Sequence, residues 1–510
     1  MPAETTTPAI TSPVLIVGVG LSGLALAIRL KRARVDDFVL LEAGDELGGT
    51  WRDNHYPGLV CDIESCLYSY SFEPTPRWTR RFAPQREILE YLKVCAEKHD
   101  IQRHIRFNSR VAAARFDERT STWEVMTTDH RRFRARVLVS ACGGLVQPNT
   151  PDIPGLERFE GPLFHTARFR HDVPLRGKTV AVIGTGASAA QVIPAIAPIV
   201  RKLHVFQRTP PWVLPKPDRA IPSWKRSRAR VVSLLQRAER CALYWRKELF
   251  VGTGFLLVQR LLKPLEASAR KHLEQRVPNA ALRARLTPKY AIGCKRVVLS
   301  NDYLPALLRT NVELVTDRIT EIRAGSIITD DGSERAVDVI IAATGFDWTD
   351  GSVSFDVTGP GGRNLRDVWR DGAEAYLGTA IAGFPNLFLL LGPNTWVGHT
   401  SMVLMIEAQA RYIQRAIETM RARNLARVEV RSDVQAAYNR RVQGRFKHTL
   451  WATERDSWCR KKPGKNTARW PGYTFEYRWR TRRFDAAAYD VVVDDAPAGQ
   501  SWWERGSVVG

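Results

Sequence analysis

Val14-Leu15-Ile16-Val17-Gly18-Val19-Gly20-Leu21-Ser22-Gly23 is an apolar strand running straight into G-x-G-x-x-G. The spacing predicts a strand, a tight turn, and a helix whose free N–H groups and positive dipole end hold a pyrophosphate. The first glycine makes the turn, the second admits phosphate to the backbone, and the third packs helix on strand. The device recurs in Val180-Ala181-Val182-Ile183-Gly184-Thr185-Gly186-Ala187-Ser188-Ala189, with alanine in third place. Two such turns imply two nucleotide-binding units.

The second strand behind each turn tells the two apart. Nineteen residues after Gly23, Glu42 ends the strand Phe38-Val39-Leu40-Leu41, where a carboxylate accepts hydrogen bonds from ribose hydroxyls. Nineteen residues after Ala189, past Leu203-His204-Val205-Phe206, stands Arg208, whose guanidinium suits a ribose 2′-phosphate. The first site therefore fits an unphosphorylated ribose such as that of FAD, and the second fits NADPH. The pairing implies redox chemistry.

At 510 residues the chain is long for a single core and fits two or three domains. Hydrophobic content of 44% and charged content of 25% belong to an ordinary globular protein. Met1 to Ser12 lacks the basic start and apolar middle of a signal peptide. The apolar run Leu249 to Val258 is too short to span a bilayer, so no transmembrane segment is expected. Seven cysteines without a C-x-x-C pair fit reduced thiols in a cytoplasmic protein and exclude a dithiol flavin reductase. A net charge of +23 is read as an arginine-rich surface that steers anionic nucleotides. No zinc-finger spacing, RNA-binding signature or long basic block accompanies it, so nucleic acid is not expected as a partner.

The pass along the chain gives an α/β fold of two Rossmann-type nucleotide-binding domains with a helical insert. Residues 1–147 and 384–510 are expected to bind FAD, and residues 148–211 and 297–383 to bind NADPH. The insert is assigned to 212–296, because apolar residues recur at helical spacing from Ser223 to Leu286. Ordinary packing of an amphipathic helix pair explains it; a cover over the site and contact with a membrane surface are the functional alternatives. A long helix is expected from about Ser401 to Arg421.

The loop after Glu42 carries Gly49-Thr50-Trp51, Tyr56-Pro57-Gly58 and Asp62, the pattern G-x-W-x-x-x-x-Y-P-G-x-x-x-D. It resembles the signature of Baeyer–Villiger monooxygenases, flavoproteins that use FAD, NADPH and O2. A second element, Phe159-x-Gly161-x-x-x-His165-x-x-x-Phe169-Arg170, is closer in its last two residues to the flavin-containing monooxygenases that oxidise nitrogen and sulfur. Gly293-Cys294-Lys295-Arg296 with Ser300-Asn301-Asp302-Tyr303 resembles the segment bearing the Baeyer–Villiger arginine, which assigns that role to Arg296. Lys295, Arg208 and Thr209 resemble the 2′-phosphate contacts, and Asp456-Ser457-Trp458 resembles a late loop whose Trp touches the nicotinamide nucleotide. Gly392-Pro393-Asn394 with Gly398-His399 resembles the flavin-side turn. The likeness runs from Val14 to about Tyr489.

Each residue also has a plainer reading. Trp51, Tyr56 and Trp458 suit packing, Asp62 a loop or cap, and His165 a structural or positioning role. The ordered set favours function. The resemblance implies a C4a-peroxyflavin attacking a ketone to give an ester or lactone, with Arg296 stabilising negative charge and Asp62 holding Arg296. A thioether or amine is the alternative acceptor. A basic flavin-containing protein that binds nucleic acid or a membrane face is the reading from another class. Trp396, near Gly398, is a candidate to narrow the pocket or to pack on the flavin unit. Spacing specifies neither the ketone nor an oligomeric state.

Overall fold

Both apolar runs that end in glycine are inner strands of parallel pairings. The computed structural model describes residues 9–222, 229–347, 353–453, 465–495 and 502–503. Ile10–Val17 lies between Phe38–Leu41 and Arg132–Ser140, parallel to both. Val14 to Val17 are buried on both faces, which is why the run is continuously apolar and not alternating. The eight-stranded sheet runs Asp356–Thr358, Val111–Asp117, Thr122–Thr127, Arg132–Ser140, Ile10–Val17, Phe38–Leu41, Ile105–Arg106, with Leu387–Leu389 also paired to Arg132–Ser140. Val111–Asp117, Thr122–Thr127 and Arg132–Ser140 are its antiparallel part.

The second sheet has five parallel strands in the order Val312–Val315, Lys202–Phe206, Thr179–Ile183, Val339–Ala342, Leu163–His165. Its glycine turn copies the first. Gly18 has φ 102° and Gly184 φ 114°, values that side-chain-bearing residues rarely adopt. A Cβ on Gly18 would lie 2.7 Å from the Ala141 carbonyl oxygen, and one on Gly184 would strike that of Ala343. Ala141 and Ala343 each come directly after the adjoining strand, so both turns press against a neighbouring strand end. The third place differs: a Cβ on Gly23 would strike the Gly18 carbonyl, whereas Ala189 is fully buried with its methyl accommodated.

One expected boundary moves. Asp356–Thr358 pairs with Val111–Asp117, and Val353, Phe355, Leu365 and Trp369 share a core with Leu15, Val17 and Trp123. The chain has therefore rejoined the first sheet by Val353, well before the crossing expected at 383/384. Val111–Asp117 would otherwise be a bare edge, and the added strand covers it. Nothing in the spacing of 353–383 announces that pairing.

Val213–Leu214 pairs with Val298–Leu299 and closes a neck beneath the insert. Above it stand the helices Ala229–Arg246, Lys263–Arg276 and Ala280–Leu286, with a π-helical turn at Lys247–Gly252. Phe255, Leu256 and Leu262 pack into the first unit's core, and Leu273, Val277 and Leu286 into the second's. The insert thus straddles both. The long C-terminal helix is Met402–Ala422, capped by the Ser401 hydroxyl, which accepts the Val403 N–H at 3.2 Å. Among the described residues no helix is long and apolar enough to cross a membrane, and no His, Cys, Asp and Glu cluster is arranged to hold a metal.

Gly184→Ala tests the turn geometry. The positive φ and the clash with Ala343 should lower stability by about 1–3 kcal/mol, read as a lower urea midpoint. An unchanged midpoint would show that the turn tolerates a side chain.

Candidate functional site

At the first turn, Gly20 caps the helix Leu21–Arg32 and Gly49 caps the short helix Thr50–Asp53. The two glycines meet backbone to backbone: a Cβ on Gly49, at φ +52°, would lie 3.0 Å from the Gly20 Cα. Glu42 is buried behind them. Its Oε2 accepts the Val19 N–H at 2.9 Å, and its Oε1 accepts Gly44 N–H at 2.9 Å and Arg52 Nη1 at 2.7 Å. A carboxylate has about four acceptor positions, so one on Oε2 remains for a ribose hydroxyl. An FAD ribose fits. Trp51 is buried, and its Nε1 donates to the Tyr68 hydroxyl at 3.1 Å.

At the second turn, Gly186 caps the helix Ala187–Ile196, and a Cβ built there would meet nothing within 4 Å. A pyrophosphate therefore has open access to the helix N–H groups. Arg208 is exposed, with no carboxylate in ion-pair reach among the described residues. The Thr209 carbonyl accepts the Thr185 hydroxyl at 3.1 Å. Lys295 Nζ sits 5.2 Å over the Tyr290 ring, whose hydroxyl donates to the Pro210 carbonyl at 3.1 Å. This contact brings Lys295 to the Arg208–Thr209 end of the sheet, two cations where a 2′-phosphate is expected.

Gln191 makes four contacts across the seam between the two units. Gln191, on the helix Ala187–Ile196, accepts the Tyr56 hydroxyl at 3.1 Å and the Val60 N–H at 3.4 Å through Oε1. Through Nε2 it donates to the Val60 carbonyl at 2.9 Å and to Asp62 Oδ1 at 3.5 Å. Gly58, at φ +83°, lets the loop lie against that helix, because a Cβ there would be 2.5 Å from the Gln191 carbonyl oxygen. Tyr56 is buried at the seam, and burial pushes its phenol pKa up to about 12. His55 meets His171 at 3.0 Å across the same seam.

Asp62 and Arg296 come together from 234 residues apart, Nη2 to Oδ2 at 3.0 Å. Asp62 is nearly buried at 12% side-chain exposure, while Arg296 is half exposed at 48%. The guanidinium lies 5.8 Å from the Trp396 ring centroid, within cation–π range. Desolvation lowers its pKa, but the Asp62 charge, with smaller help from Cys61 and Tyr68, outweighs this and leaves it raised. Its segment is pinned by Arg469, which donates to the Cys294 carbonyl at 2.7 Å, and by Trp451 Nε1 on the Gly293 carbonyl at 3.2 Å. A second cation stands beside the pair: Lys216 Nζ donates to the Cys61 carbonyl at 3.1 Å. Asn301 holds the Lys216 backbone from both sides, at 3.0 and 2.8 Å. Desolvation lowers the Lys216 pKa, with Asp62 as the largest opposing charge.

Lys216, Gln191, Arg52 and Tyr68 join the site without having stood out in the sequence. Gln191 carries a signal, as the one amide in the otherwise small and apolar helix ASAAQVIPAI. Lys216, between Pro215 and Pro217, carries none. His165 caps a short turn by accepting the Ala167 N–H at 3.0 Å, and burial lowers its pKa. Phe169 is buried against Phe164, and Arg170 pairs with Asp172 at the surface at 2.5 Å. His399 is engaged by Glu248 at 3.1 Å in the insert. Trp458 lies outside the described residues. A cavity of 100 Å³ near the neck, lined by residues including Trp212, Leu273 and Tyr303, does not reach Arg296.

A model of the flavin-binding monooxygenase-like family matches residues 11–354. The Baeyer-Villiger monooxygenase of Pseudomonas aeruginosa is 44% identical, over 94% of this chain and 91% of its own length. The chain belongs to the Baeyer–Villiger monooxygenases. The Streptomyces coelicolor Baeyer-Villiger monooxygenase is 43% identical over 94% of this chain and 92% of its own. Among solved structures, OTEMO in complex with FAD and NADP superposes with a TM-score of 0.85 at 29% identity, covering 95% of this chain and 100% of that one. Cyclohexanone monooxygenase from Rhodococcus sp. Phi1 bound to NADP+ gives 0.85 at 27% identity, covering 96% and 100%. Within this family fold, Glu248 is fully buried and also accepts the N–H groups of Thr474 and, at 3.2 Å, Phe475.

Glu248→Ala should leave those donors and His399 without their acceptor and cost about 3–5 kcal/mol. Thermal unfolding of the variant measures it. A loss under about 1 kcal/mol would show that the contact is not structural.

Proposed function

We propose that this flavoprotein uses FAD, NADPH and O2 to insert one oxygen atom beside the carbonyl of a small ketone, giving an ester or lactone. The observation that carries the reading is the Asp62–Arg296 pair at the seam between the two glycine turns. Bound FAD, reduced by NADPH, supplies the activated oxygen. In this reading 9–147 with 353–495 holds FAD and 148–211 with 297–347 holds NADPH. The Gly18, Gly20 and Gly23 turn with Gly49 takes the FAD pyrophosphate and Glu42 its ribose. Gly184, Gly186 and Ala189 seat the NADPH pyrophosphate, and Arg208, Thr209 and Lys295 meet the 2′-phosphate. Six described cysteines, none in a disulfide, agree with a reducing cytoplasmic setting.

Arg296 stabilises the negative charge that grows on the substrate oxygen, as a donor does in an oxyanion site. It reaches the carbonyl by leaving Asp62. That step breaks one 3.0 Å contact between a half-exposed guanidinium and a nearly buried carboxylate. The cost of a newly unpaired Asp62 is offset by Gln191 and Lys216, which remain beside it. Trp396 guides the guanidinium along its face. The heteroatom reading rests on Phe169-Arg170, and Arg170 is paired with Asp172 at the surface.

Arg296→Ala should lower turnover of a ketone panel by about 10²–10³-fold while NADPH still bleaches the flavin. Gas chromatography of ester products and anaerobic spectra measure the two. Undiminished ester formation would remove Arg296 from the mechanism.

Lys216 sets a pH limit. Its lowered pKa means that, as pH rises, its charge is lost below the ordinary lysine range. The alkaline limb of kcat/KM should therefore fall early. Lys216→Arg keeps the charge and should move the limb upward, whereas a superimposable profile would dissociate Lys216 from the step.

A further inference from the structure

Ten of the nineteen large apolar side chains exposed among the described residues lie in just two short segments, 234–261 and 475–479. On the helix Ala229–Arg246 and the π turn that continues it, Leu234, Cys241, Trp245 and Leu249 recur at spacings of seven, four and four, one outward face. Leu234 is 68% exposed, Phe250 61% and Leu257 64%. The second segment adjoins the first: the Trp245 and Phe475 rings lie 5.9 Å apart, and Glu248 binds the Phe475 N–H. Trp479, 61% exposed, is covered by the Arg482 guanidinium at 4.5 Å. An amphipathic helix normally turns its apolar face inward. The helix Ala229–Arg246 buries Leu243 and Tyr244 and turns a second apolar strip to solvent.

The rim of the face is basic. From 229 to 263 the only acids are Glu239 and the buried Glu248. Arg237, Arg246, Arg260 and Lys263 are exposed. Beside Trp479 an open basin of 640 Å³ is lined by Arg415, Thr419, Arg482, Arg483 and Phe484, with room for an anionic headgroup. We propose that this face docks the enzyme on an anionic membrane surface, apolar side chains in the acyl boundary and arginines on the phosphates.

A second copy is the poorer occupant, because a two-fold contact sets each rim of arginines near its own image in a chain of net charge +23. The chemistry of the face is that of an in-plane anchor: bulky aliphatic and aromatic tips, tryptophans at the edge, cations around them. No described helix is both long and apolar enough to cross a membrane. The oxygenation reading is not needed for this inference.

Co-sedimentation of the flavin-loaded full chain with phosphatidylglycerol–phosphatidylcholine vesicles and with pure phosphatidylcholine vesicles tests it. The expected result is binding to the anionic vesicles that weakens with salt. Combined Leu249→Ser, Phe250→Ser and Leu257→Ser should reduce the partition coefficient about tenfold or more, and Arg246→Glu with Arg260→Glu should do the same. Circular dichroism and flavin content establish that the variants remain folded. No sedimentation with anionic vesicles overturns the proposal. So does undiminished binding of the serine variant, which would mean charge alone attracts the chain. A concentration-dependent dimer that dissolves in the serine variant, seen by light scattering, would overturn it in favour of a second copy.

Discussion

The loop from Tyr56 to Asp62 is held to the helix of the other nucleotide unit by Gln191, and the geometry of the site depends on that seam. All four hydrogen-bonding positions of the Gln191 amide are used, two accepted at Oε1 and two donated at Nε2. The pattern fixes which end of the amide is which, because only one orientation puts donors on carbonyl and carboxylate oxygens. Asp62 is thereby placed from the second unit although it belongs to the first. Arg296 reaches it from the far side of the insert. With Lys216, four separate stretches of chain meet at one carboxylate.

Sterics and charge converge there. Gly58 permits the approach of loop to helix, as Gly49 permits it at the first turn, and a methyl group at Gly58 would collide and one at Gly49 would crowd. Around Asp62 the balance is one carboxylate against two cations, Arg296 and Lys216, which leaves a local positive field. Such a field suits anionic nucleotides and a reaction that gathers negative charge on oxygen. A hydrophobic site with a neutral pair would discourage both.

Much of this is legible in the chain. Both glycine turns, their strands and the long helix after Ser401 can be read from local spacing, because local spacing governs them. The Asp62–Arg296 partnership comes from the ordered resemblance. The return of residues 353–383 to the first sheet is not legible, since edge pairing between distant strands has no local signature. Arg52 on Glu42 escapes for a related reason: an ion pair ten residues apart across a turn depends on the turn's path. Lys216 is invisible because a lysine between two prolines reads as loop, and only the neck strand pairing brings it to Asp62. The sequence places His399 in the flavin-side turn; its partner, Glu248, sits in the insert.

In the proposed function two different nucleotides, FAD and NADPH, meet across this seam. Anaerobic mixing of the purified, flavin-bearing chain with NADPH and, separately, NADH measures it in one experiment. The account predicts rapid bleaching of the flavin band by NADPH and much slower bleaching by NADH, since Arg208 and Lys295 have a phosphate to grip only in the first. A colourless protein, or equal rates with the two nucleotides, would contradict it.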